Sequence, residues 1–164
     1  MERQETFRPL KRALQAMSRE ECLELLQHEK RGVLSVVGDM GYPYSTPMNH
    51  LYLPEDGCIW FHCGAGSGHR TEALSENNKV CFCCTDGGVQ RDGHWSLDFK
   101  SVVVFGTAEI VRDPLQVERV SRLLSLRFTA DMAYIDGEVA AALEHTVLIK
   151  LTPHHISGKK VNEA

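Results

Sequence analysis

The stretch FHCGAGSGHR, residues 61–70, runs from apolar side chains into three spaced glycines and then into an imidazole and a guanidinium. Bare amides at Gly64, Gly66 and Gly68, followed by a helix start, form a surface to which anions are drawn, and Arg70 adds a charge able to grip two oxygens at once. The chemistry this suits is phosphate binding. A triphosphate P-loop is ruled out, since G-x-x-x-x-G-K-[ST] requires glycine where His69 stands. The dinucleotide fingerprint fails at the same residue, and the helix that follows has too few turns for a crossover between parallel strands. Two readings stay open: a clamp for a single phosphate, or a tight strand-to-helix turn that leaves Arg70 in solvent.

The other residues that could do chemistry are cysteines and histidines. Cys22, Cys58, Cys63, Cys81, Cys83 and Cys84 fall in apolar, strand-like runs, which suits buried free thiols in a reducing compartment. A structural zinc site needs cysteines paired on turns, whereas Cys81 and Cys83 alternate along one strand face. Each of His50, His62, His94, His154 and His155 has an ordinary structural or solvent-exposed reading beside any functional one.

The elements that must position these groups are mostly strands. Ser18 and Glu21 have capping-box spacing, which predicts a helix over about residues 19–30 with Gly32 as its stop. Strands are predicted over Val33–Val37, Tyr44–Leu53 and Cys58–Cys63, joined by the short turns GDMG and PEDG and therefore antiparallel. A short helix over Thr71–Asn77 precedes a strand at Lys79–Thr85, and Val89–Asp98 has no clear period and reads as a loop. The β-branched run within Lys100–Arg112 carries Gly106, a sign of a bulge. Asp113-Pro114 predicts a capped helix, a second short helix falls near Glu138–Leu143, and His145–Leu151 is the last strand before a polar tail, Thr152–Ala164. Six or seven strands with few helices point to one small, mostly antiparallel barrel domain over residues 1–164, with residues 1–31 an N-terminal helical segment.

The chain has 164 residues and a formal net charge of −4, which argues against nucleic-acid binding driven by phosphate attraction. No apolar stretch reaches the roughly 20 residues that cross a bilayer, and the opening MERQETFRPLKR lacks the apolar core of a secretory signal. The expectation is a cytoplasmic protein with neither a nucleic-acid nor a membrane partner.

Four stretches, TPMNHLYL (46–53), WFHCGAGSGHR (60–70), KSVVVFGTAEIV (100–111) and ISGKK (156–160), are similar in order and spacing to the signature segments of the FMN-binding split-barrel family. Within it they resemble the branch related to pyridoxamine 5'-phosphate oxidase that includes the 5-nitroimidazole resistance proteins. The resemblance implies a six-stranded antiparallel Greek-key split barrel, a homodimer with FMN in the clefts between subunits, and a small-molecule electron acceptor. It further implies that Thr46, Pro47, Met48 and Asn49 run along the flavin ring and that His69 and Arg70 hold the phosphate. Cys63, Ala65 and Gly68 would line the cofactor, Ser101 would approach it from the same or the facing subunit, and His62 would stand beside it as the catalytic candidate. Arg70 replaces the lysine of many relatives, which keeps the charge and changes the contact geometry. The arginine- and histidine-rich set that holds substrate phosphate in true pyridoxamine phosphate oxidases has no counterpart here, which argues against vitamin B6 oxidation. The implied activity is reduction of a small planar acceptor such as a nitroaromatic, with Trp60, Tyr52 or Trp95 shielding the ring. The alternatives are a non-catalytic flavin-binding or sensory module, or a haem-binding protein.

Overall fold

The computed structural model describes residues 6–161. Helix α1 (Arg19–His28) starts where Ser18 Oγ accepts from the Glu21 amide at 3.2 Å while Glu21 Oε2 accepts from the Ser18 amide at 2.7 Å. Its predicted stop needs correcting. The helix ends when Glu29 turns extended, and Gly32 lies inside strand β1 (Arg31–Val37), where a Cβ would stand 2.4 Å from Phe82 Cζ. Gly32 answers a close approach between strands.

Seven further strands follow: β2 (Pro43–Asn49), β3 (Leu51–Leu53), β4 (Cys58–Gly64), β5 (Lys79–Thr85), β6 (Val89–Gln90), β7 (Leu97–Val111) and β8 (Thr146–Val161). They pair antiparallel in the order β2-β1-β5-β7-β8-β4-β3, with β6 on β7. The two ends of that order, β2 and β3, are neighbours in the chain separated only by His50, and β2 also approaches β4. One bent strand thus ties the two sheet edges together and curls the sheet into a split barrel. With β2–β3 counted as that single strand and the two-residue β6 set aside, six strands remain, as the family resemblance implies.

Three boundaries differ from the sequence reading. The segment read as a loop after Asp86 forms the small β6–β7 hairpin, pairing Val89 with Asp98. Strand β8 runs on through the supposed polar tail to Val161, because β7 offers it partners from Val111 back to Phe99. Helix α4 (Met132–Ala142) begins well before Glu138, at Asp131, whose carboxylate accepts from the Tyr134 amide at 3.0 Å. The bulge predicted at Gly106 is present: the β7–β8 register shifts between Phe105 and Gly106, and a Cβ there would meet the Thr152 carbonyl oxygen at 2.2 Å.

Two apolar clusters form on opposite faces of β4. Ile59, Phe61 and Cys63 face the barrel interior with Leu34, Phe82 and Leu26 of α1. Cys58 and Trp60 face outward, where Val117, Val120 and Leu124 of α3 (Pro114–Leu126) cover them. Asp113 caps α3 by accepting from the Gln116 amide at 2.9 Å. Asp113→Ala should therefore cost about 1 kcal/mol, read as a lower urea midpoint at unchanged m-value. Among the described residues no helix is long and apolar enough to cross a membrane.

Candidate functional site

The glycine loop lies at the end of β4 and leads into α2 (His69–Glu76). Since the Glu72 amide is the first to bond back within this helix, to the Gly68 carbonyl, the amides of His69, Arg70 and Thr71 lack intrahelical acceptors. Thr71 Oγ1 closes the turn, accepting from the Gly68 amide at 3.0 Å. Beside this helix start is a groove of about 310 Å³ lined by Tyr44, Cys63, Gly66, Gly68, His69 and Arg70.

The lining side chains are held from several sides. Arg70 Nη1 donates to Thr46 Oγ1 of β2 at 3.0 Å, while its Nε is buried with no partner among the described residues. The His69 ring stacks on Tyr44, centroids 4.0 Å apart, and its Nε2 lies 3.5 Å from Asp39 Oδ1 in the β1–β2 turn. Burial pushes the Cys63 thiol above its ordinary pKa, against the opposing pull of Arg70, so it stays protonated and packs as a hydrophobe.

The glycines carry the sharper signal. None of Gly64, Gly66 and Gly68 has positive φ, and a Cβ built on any of them meets no protein atom within 4 Å. Neither backbone conformation nor packing of this chain calls for glycine there. A small anionic group drawn close to the backbone would give glycine a reason there, with Arg70, whose Nε has no partner among the described residues, beside it. The residues present therefore fit a flavin phosphate, which His69, Arg70 and the open amides at the start of α2 would hold.

Of the residues named from the sequence, the groove brings together Thr46, Cys63, Gly68, His69 and Arg70. Ala65 adjoins it, packed against the core, with its amide donating to the His145 carbonyl at 2.8 Å. Met48 is buried in the barrel, Pro47 is exposed, and Asn49 Oδ1 accepts from Arg31 Nε at 3.0 Å. His62 projects from the opposite face of β4, against α3 and α4. Ser101 sits on β7, paired with Thr85 and Lys159 and three strands from β2, outside the groove of its own chain. Trp60 and Tyr52 are buried in the two clusters, and Trp95 is 89% exposed. Sequence reasoning missed Tyr44 and Asp39 as supports of His69. Strand alternation from Thr46 places Tyr44 on the same face and was the available signal.

A barrel closed by one bent strand, with a glycine-lined groove where β4 meets a helix, has the architecture of the flavin split barrels. The chain belongs to the pyridoxamine 5'-phosphate oxidase family, whose profile matches residues 18–160. Among solved structures it is similar to a conserved hypothetical protein of Mycobacterium tuberculosis, at 24% identity and TM-score 0.77 over 92% of this chain and 90% of that one. It is also similar to a candidate 5-nitroimidazole antibiotic resistance protein of Bacteroides thetaiotaomicron, at 19% identity and TM-score 0.73 over 88% and 86%. An FAD-binding protein of Mesorhizobium loti matches at 20% identity and TM-score 0.63 over 90% and 96%. At these identities the likeness establishes the fold. None of the curated proteins matches the chain.

Proposed function

We propose that the protein is an FMN-dependent oxidoreductase, a homodimer that passes electrons to a small planar acceptor such as a nitroaromatic compound. The observation that carries the reading is the groove itself: three glycines with open space where side chains would be, lining one groove with an arginine whose buried Nε has no partner among the described residues. Bound FMN would supply the one- or two-electron transfer that no side chain provides. The chain's part is placement. His69 and Arg70 bind and orient the phosphate, Tyr44 fixes His69 by stacking, and Thr46 fixes Arg70.

Strand β2 contributes its backbone. Among the described residues it pairs with β1 on one side only, so its outer edge would offer carbonyls, and amides except at Pro43 and Pro47, to the polar rim of a flavin ring. Ser101, remote from the groove of its own chain, would in such a dimer reach the cofactor from the facing subunit. His62 has an exposed edge, yet desolvation draws its pKa below the ordinary imidazole value. It is neutral at pH 7 and able to donate a proton from one ring nitrogen.

Purification should yield a yellow protein that releases FMN, identified by mass, on denaturation. A colourless protein that takes up neither FMN nor FAD in titration would overturn the proposal. His62→Ala should slow turnover of a nitroaromatic acceptor by at least about a hundredfold while the flavin stays bound. Equal rates would assign His62 to structure alone.

A further inference from the structure

The end of β4 has a second face with its own cavity. His62 points away from the phosphate groove into a space of about 160 Å³ walled by Ser121 and Ser125 of α3, Glu138 and Val139 of α4, and Thr146 of β8. Groove and cavity are adjacent: Gly64, which lines the groove, is paired across the β4–β8 ladder with Thr146, which lines the cavity.

The polar groups of this cavity are spare. Ser121 and Ser125 lie one turn apart on α3, and Ser121 Oγ is buried with no hydrogen-bond partner among the described residues. A helical serine ordinarily satisfies itself on the carbonyl one turn back, so an unbonded buried hydroxyl beside an open space is a costly feature that a ligand would relieve. Thr146 donates its hydroxyl hydrogen to the Ala142 carbonyl at 2.8 Å and keeps oxygen lone pairs free. Size and charge then limit the occupant. A space of about 160 Å³ matches one benzene-sized ring and is too small to enclose the three fused rings of a flavin. The lining includes the carboxylate of Glu138 and neither lysine nor arginine, which disfavours anions.

We propose that this cavity binds a single, uncharged five- or six-membered ring bearing hydrogen-bonding atoms, placed against His62 and Ser121. Its role as the acceptor site rests on the function proposed above; the binding itself needs no flavin. The site is thus made by α3 and α4 together with His62 of β4 and Thr146 of β8, outside the glycine loop and outside β2.

The test is an NMR titration of the flavin-free full chain with 4-nitroimidazole, with FMN uptake measured on the same samples. Shifts centred on His62, Ser121 and Thr146 are expected, with affinity lowered by roughly tenfold or more in Ser125→Leu, which fills the space, and severalfold in Ser121→Ala. Arg70→Ala should leave nitroimidazole binding unchanged. Absence of shifts at these residues at millimolar probe, or wild-type affinity in folded Ser121→Ala, would overturn the proposal. Failure to take up FMN would instead overturn the flavin reading and leave the ring site standing.

Discussion

Replacing Arg70 by alanine should raise the FMN dissociation constant about ten- to a hundredfold. The guanidinium lines the groove, and a hydrogen bond to a charged group contributes about 1.5–3 kcal/mol. The flavin-free protein should scarcely notice the change. Arg70 donates to Thr46, lies against the Cys63 thiol, and buries an Nε without a partner among the described residues, so its removal sacrifices few contacts and relieves one unsatisfied atom. Melting temperatures of wild type and Arg70→Ala should therefore converge without FMN and separate with it. A variant equally destabilised in both conditions would make Arg70 a structural residue.

The second large effect concerns acid stability. His50, fully buried at the bend between β2 and β3, lies 2.9 Å through Nε2 from the Leu26 carbonyl, which can only accept; Nε2 therefore carries the proton. Nδ1 is left without a partner among the described residues. Desolvation, reinforced by the Arg127 guanidinium, lowers the pKa from 6.5 to about 4. Between those values the unfolded chain binds a proton that the folded chain refuses. The stability linked to His50 is thus complete above pH 6.5 and is lost as the pH falls toward 4, by about 3 kcal/mol in all. Urea midpoints measured across this range should drop on the acid side, and His50→Gln, which retains a donor for Leu26, should flatten the profile. An unchanged slope in that variant would assign the acid sensitivity elsewhere.

The parts of this protein legible in its sequence are those governed by neighbours in the chain. Ser18 and Glu21 cap α1, Asp113-Pro114 opens α3, and Gly106 marks the bulge in β7, because each signal acts within a turn or a strand. The second half of β8 was not legible: HHISGKK has no apolar alternation, and its extended form is imposed by β7 across the ladder. Gly32 misled for a related reason, since its need for a hydrogen side chain comes from Phe82, fifty residues away in the chain. Within the site, the glycine loop and Arg70 announced themselves by type and spacing. That Cys63 faces the groove while His62 faces α3 and α4 follows from alternation only once the covering helices are known.

The most direct test of the phosphate clamp compares the affinities of wild-type protein for FMN and for riboflavin, the same ring system without its phosphate. FMN should bind at least about tenfold more tightly, and the preference should collapse in Arg70→Ala. Equal affinity for the two flavins in the wild type would contradict the account, because the amides at the start of α2 and Arg70 would then hold no phosphate.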